Sequence, residues 1–299
     1  MSKSQIIIVL KITCFCLFAG RAWQHIIWDA PFRALLWDEQ LMKGIIEMAF
    51  GMNWQDYVSS GFVDRTIQNT IKGFGWFYVV CATCSLIINE RRKWAGYVLL
   101  IGSVSLAFLA FLYCKEKSYR IGDFFEYAIQ VASPIFLWLI IFKTQGAQNL
   151  AQSNTEKFLS KNKLKLLMKI AIALTFTSHG LYAIGYYPHP GSFVDMVINS
   201  FGVTEPTAHH LLFIVGVLDF LVSILIFIPK VAKPALIYIV FWGLLTALAR
   251  VYANFYSNFA LETISQWLHE TLWRLPHAGL PVVVLLLESS TTFRLKKLE

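Results

Sequence analysis

Charge is scarce in this chain. Only 15% of its 299 residues are Asp, Glu, Lys or Arg, against about 25% in ordinary soluble domains, which excludes a soluble globular protein. Cysteine is scarce as well, and five in this length do not make a disulfide framework. The chain has no glycine-rich nucleotide loop, hydrolase elbow, glycosyltransferase carboxylate pair or His-Glu-x-x-His zinc signature. Those absences remove familiar signatures of catalysis without excluding an enzyme. The 26 basic against 18 acidic side chains give +8, but the basic residues sit in short loops between apolar runs, so nucleic acid is excluded as the partner. What is present is apolar mass, at 57%, with ten Trp, twelve Tyr and twenty-four Phe to build interfacial belts. The partner is a lipid bilayer.

A helix needs about 20 mostly apolar residues to cross a bilayer. Eight segments approach that length: Gln5 to Trp28, Gly73 to Ile88, Trp94 to Cys114, Phe124 to Phe142, Leu166 to Tyr187, Thr207 to Pro229, Ala235 to Tyr256 and Thr271 to Leu287. The second, fourth and eighth are short or interrupted. The first resembles a secretory signal, with Lys3 ahead of an apolar core and Ala19-Gly20-Arg21-Ala22 as a loose cleavage site, but a counterpart later in the chain makes it a retained span. One set of alternate loops holds fourteen basic and four acidic residues, the other ten and thirteen. This asymmetry places both termini in the cytoplasm, with 29–71 and 188–206 outside, in a bacterial inner membrane. Residues 144–163, rich in Gln, Asn, Ser and Lys, read as a cytoplasmic linker between units 1–143 and 164–299.

The two units look like copies. Leu10-Lys11-Ile12 through Phe18 lies over Met168-Lys169-Ile170 through Phe176 without a gap, which sets Arg21 against His179. Phe50-Gly51 matches Phe201-Gly202, Leu106 to Tyr113 matches Leu245 to Tyr252, and Phe125-Glu126 faces His269-Glu270. Four matches in one order predict an all-α fold of about eight spans in two pseudo-repeated four-helix bundles. Four crossings return the chain to its starting side, so the copies are parallel. The second unit, with Phe176-Thr177-Ser178-His179-Gly180 and Pro188-His189-Pro190-Gly191, resembles DoxX-like membrane proteins. That group is similar to the MauE proteins and to the membrane part of vitamin K-dependent carboxylases. The resemblance implies a redox-associated membrane role, as in some members, and supplies no substrate. Arg21 replaces the His of the His-Gly pair in the first unit, so any shared site belongs to the second.

Ionisable side chains inside spans are costly and mark functional candidates. The second unit gathers His179, His209, His210, Arg250, His269, Glu270, Arg274 and His277 toward its outer side, with Asp219 near the middle of its helix. Glu270, Arg274 and His277 share one face of a continuous helix. Three readings compete: an ion-paired polar network; a metal ion on His179, His209, Glu270 and His277; and a pocket for an anionic or quinone-like ligand with Arg250 and Arg274 as counter-charges. Asp219 must be neutral or paired, and by depth its expected partner is His179. In the first unit Arg21, His25, Asp29 and Glu126 form a polar cluster, with Arg21 paired to Asp29 or Glu126. Cys81 and Cys84 in one span, and Cys14 and Cys16 in another, read as small packing residues. Segment 31–69 carries an amphipathic interfacial helix that could lid an outward pocket or dock a membrane partner subunit. The leading function is an outward-opening pocket for a redox-active or hydrophobic small molecule, with or without metal. The alternatives are a non-catalytic subunit that assembles a complex, and a small-molecule transporter.

Overall fold

The computed structural model describes residues 3–143 and 160–295. Among them every regular element is helical. The order is α1 (Lys3–Ile27), α2 (Arg33–Leu36), α3 (Glu39–Phe50), α4 (Trp54–Ser59), α5 (Gly61–Ile87), α6 (Lys93–Glu116), α7 (Ile121–Glu126), α8 (Ala128–Phe142), α9 (Lys161–Ala183), α10 (Gly191–Phe201), α11 (Glu205–Leu225), α12 (Ala232–Ala253), α13 (Ala260–Arg274) and α14 (Pro276–Leu295). Seven stretches are long and apolar enough to cross a membrane: α1, α5, α6, α7 with α8, α9, α11 and α12. This is the architecture of a polytopic helical membrane protein. Most of the expected linker, 144–159, lies outside the described residues, and α9 is under way at Lys161 with Ser160 as its cap.

Two expected spans are broken. Phe124 to Phe142 divides at Tyr127 into α7 and α8, and Thr175 of α9 fills the gap. Its Oγ1 accepts a hydrogen bond from the Ile129 amide at 3.1 Å and lies within donating distance of the Glu126 carbonyl at 3.3 Å. An inserted side chain is a recognised cause of such a break, and in hydrocarbon it satisfies the backbone groups the break releases. Thr271 to Leu287 likewise straddles a helix end: α13 stops at Arg274 and α14 starts at Pro276, whose ring has no amide hydrogen to give.

The halves interlock instead of standing as two separate bundles. Helix α1 packs on α5 and α8 of its own half and on α13 and α14 of the other. Helix α9 packs on α11 and α14 of its own half and on α7 and α8 of the first. The shared core draws Leu17, Phe18, Ile129, Leu137, Met168, Ile172, Leu280 and Val284 from both halves, all fully or almost fully buried. Cys14, Cys81 and Cys84 are free thiols packed in that core, and Cys16 is half-buried. Large apolar side chains such as Trp76, Val104, Ile224 and Phe241 point outward instead, as a lipid-facing surface requires.

Where helices cross most closely, small residues let the backbones meet. A Cβ built on Gly20 of α1 would lie 2.7 Å from the His269 carbonyl oxygen and 2.8 Å from the Trp273 amide nitrogen. On Gly44 of α3 it would meet nothing within 4 Å.

Segment 31–69 forms a cap of three short helices and the start of α5, with the expected amphipathic helix at α3. Ile46, Trp54 and Tyr57 make its small core, while Leu41, Ile45, Met48 and Phe50 are exposed. Asp38 caps α3 by accepting from the Leu41 amide at 3.0 Å and ties the cap to α6 through an ion pair with Lys115. That lysine, hydrogen-bonded to it, holds the Asp38 carboxyl below its ordinary value of 3.8.

Gly20→Ala is expected to lower stability by about 1–3 kcal/mol, the usual cost of overpacking a close contact, whereas Gly44→Ala should leave stability unchanged or slightly raised; unfolding in mixed detergent micelles compares them. The depressed Asp38 carboxyl implies that its tether is fully formed above the ordinary carboxylate range and is lost as pH falls through the lower folded value. Hydrogen exchange over 39–50 should therefore stay slow down to about pH 4 in the parent chain. In Asp38→Asn it should be fast at neutral pH, and equal rates there would disprove the tether.

Candidate functional site

The described polar groups concentrate where α1 and α9 meet the two broken segments, α7 with α8 and α13 with α14. Two sites result, one on α1 and one on α9.

At the first site Arg21 of α1 is completely buried. Its guanidinium donates to Gln24 Oε1 at 2.8 Å and to Gln130 Oε1 of α8 at 2.7 Å. It stacks over the Trp273 ring at 3.9 Å and the Tyr127 ring at 4.9 Å. The expected ion pairs of Arg21 with Asp29 or Glu126 do not form. Asp29 lies beyond the end of α1 and pairs with Arg33 at 3.1 Å, and Arg33 also holds Asp64 at 2.7 Å. Aromatic faces and two amide oxygens, with no carboxylate within 4 Å among the described residues, hold the Arg21 charge. His25 sits one turn on, fully buried, its Nδ1 against the Arg21 carbonyl at 2.7 Å and its ring edge-on to Tyr78. Gln24, Gln130, Tyr127 and Trp273 were missed by charge-based reading. The signal that could have found them is the rarity of Gln inside a span.

At the second site His179 of α9 meets Glu126 of α7, Nε2 to Oε1 at 3.2 Å. The His277 ring of α14 lies parallel to it, with centroids 5.3 Å apart and planes 12° apart. Phe176 closes one side of both rings. His277 is in turn oriented through Nδ1, which lies 2.8 Å from the Arg274 carbonyl oxygen, a group left free by the break before Pro276. Its Nε2 is buried and has no partner among the described residues. Next to this pair, Glu270 receives Arg274 at 2.9 Å and Arg250 of α12 at 3.5 Å. The break also means that Glu270 and Arg274 do not share one continuous helix with His277, contrary to expectation.

The rest of the expected pocket is dispersed. His209 is drawn to Glu205 at 3.6 Å and to the His189 ring, 4.6 Å between centroids, at the start of α11. His210 is exposed. His269 stacks on Trp28 and meets Trp273 edge-on instead of facing His179. Asp219 does not meet His179: Gly216 and Ser223 on the same helix lie against Gly180 and Ala173, which sets Asp219 lower along α9. It is buried, and its Oδ1 has no hydrogen-bond partner among the described residues. The proposed metal set of His179, His209, Glu270 and His277 is therefore not assembled, and among the described residues no three His, Cys, Asp or Glu side chains group as a metal site. An unanticipated ion pair, Lys169 with Glu288 at 2.6 Å, lies two to three turns below His179 along α9.

Arg250 and Arg274 face Glu270 and lie in the field of Glu126. No protein-family profile, curated protein or solved structure matches this chain.

Glu270→Gln leaves Arg250 and Arg274 facing each other without a counter-charge. It should cost about 3 kcal/mol, as removal of one partner from a buried pair does, measured by reversible unfolding in detergent. A cost below about 0.5 kcal/mol would show that water, not Glu270, solvates the two arginines.

Proposed function

We propose that this chain is a DoxX-like integral membrane protein of eight spans, α14 serving as the last, in two parallel four-helix units with cytoplasmic termini in a bacterial inner membrane. Its outward centre, built on Glu126, His179 and His277, binds a hydrophobic and redox-active small molecule.

The duplication is supported by the way the two sites correspond. Arg21 and His179 occupy the aligned positions of α1 and α9. Each reaches a residue of its own fourth helix, Gln130 or His277, and one from the other half, Trp273 or Glu126. Pro134 follows Gln130 by four residues and Glu126 by eight, and Pro281 follows His277 and Trp273 by the same steps. This register runs three residues beyond the match of Phe125-Glu126 with His269-Glu270. Helices α3 and α10 both end in Phe-Gly with the glycine left-handed, at φ 62° and 63°, a conformation that favours glycine.

The observation that carries the ligand reading is the unpartnered Nε2 of buried His277 beside the Glu126–His179 pair. A buried polar atom without a partner costs free energy that a ligand hydroxyl or carbonyl would recover. Glu126 orients His179 as a proton acceptor or donor toward such a group. The first site differs in character, because its Arg21 guanidinium already donates to two amide oxygens and lies over aromatic rings, although Arg21 Nε and His25 Nε2 are likewise buried without a partner among the described residues. The exposed apolar face of α3 supports a second role, in which the cap seats the chain against a membrane partner subunit.

Purified wild-type protein should release about one small molecule per chain on organic extraction, with an absorption band beyond that of Trp and Tyr. His277→Phe preserves the stacked ring and removes the nitrogen, so it should retain that molecule about tenfold less well, the scale of one lost buried hydrogen bond. An extract with no such molecule, from protein that is otherwise intact, refutes the reading.

A further inference from the structure

An apolar groove of about 220 Å³ runs along one flank of the molecule, between α7, α9 and the turn after α11. Its walls come from Ile121 and Phe125 on α7, Ile170, Leu174 and Leu181 on α9, and Phe227. The Ser178 hydroxyl at its edge is satisfied within its own helix, donating to the Leu174 carbonyl at 2.9 Å. The groove thus offers almost nothing to hydrogen-bond, and it opens between spans, where the surrounding medium is alkyl chain.

Two dimensions identify what fits. From Leu181 to Ile170 the groove follows α9 for about 16 Å at 1.5 Å per residue, which matches one leaflet of a hydrocarbon core about 30 Å thick. Its volume falls below the roughly 300–1,000 Å³ of pockets that enclose drug-sized ligands. One extended chain satisfies both.

The residue next to one wall of the groove is charged. Arg120 immediately precedes Ile121 at the start of α7 and is half-buried. The neighbouring cations are neutralised, Lys115 by Asp38 and Lys117 by Asp123 at 2.8 Å, and Glu116 lies in the field of Lys117. Arg120 makes no ion pair within 4 Å among the described residues. A cation at the end of an alkyl-sized groove, at headgroup depth, matches a phosphate joined to an acyl chain.

We propose that this groove is the seat of one membrane phospholipid, with an acyl chain lying along α9 and its phosphate at Arg120. Phe125 and Ser178 line the groove, and the next residues in the chain are Glu126 and His179. The seated lipid therefore closes the flank of the polar centre against the bilayer. The inference rests on the membrane reading and not on the identity of the small molecule.

Native mass spectrometry of the full chain in mild detergent tests it. Wild-type protein should keep one phospholipid at collision energies that strip all others. Leu174→Trp, which fills the groove, and Arg120→Ala, which removes the charge, should each reduce that one-lipid fraction about fivefold. Phe241→Trp, on the exposed face of α12, should leave it unchanged. Where Leu174→Trp fails to fold, Leu181→Trp takes its place. If either the groove-filling or the Arg120 substitution leaves the retained lipid unchanged, or Phe241→Trp removes it equally, the proposal falls.

Discussion

A polar group carried into hydrocarbon must find its partner inside the protein, because lipid offers none. Much of this fold follows from that constraint acting at two helix breaks. Where α7 gives way to α8, the freed backbone is met by Thr175, and where α13 gives way to α14, the freed Arg274 carbonyl is met by the ring of His277. In each case the side chain that satisfies the break also fixes a neighbouring titratable group. Thr175 bonds the Ile129 amide just beyond Glu126, and His277 lies flat against His179. The breaks therefore position the site as well as interrupting the spans.

The same constraint explains why the two sites differ. A guanidinium is permanently charged and has five donors to place, so Arg21 gathers two amide oxygens and several aromatic faces, with Nε left without a partner among the described residues. An imidazole can be neutral and needs only one donor and one acceptor partner. Around His179 and His277 that leaves a ring nitrogen over. A permanently charged guanidinium thus dominates one centre, and titratable imidazoles the other.

The membrane class, the helical architecture and the approximate spans were legible because apolar runs of span length dominate the chain. The amphipathic α3 was legible from its helical spacing, and the clustering of Glu270, Arg274 and Arg250 from the rarity of charge inside spans. Partnerships were not legible. Depth along a helix predicted Asp219 for His179, but azimuth and the crossing of the halves decided for Glu126 instead. The break before Pro276 was signalled by the proline alone, and the break at Tyr127 had no local signal, since a threonine from another helix causes it. His209 and His210 were misplaced because the start of a helix can project its side chains toward the surface as readily as toward the bundle.

The interlocking of the halves also bears on biogenesis. A ribosome makes Glu126 before His179, and Arg21 long before Trp273, so these two residues are made before their contacts with the later half exist. The finished pairing is then a record of assembly completed only when the last helix has been threaded into place.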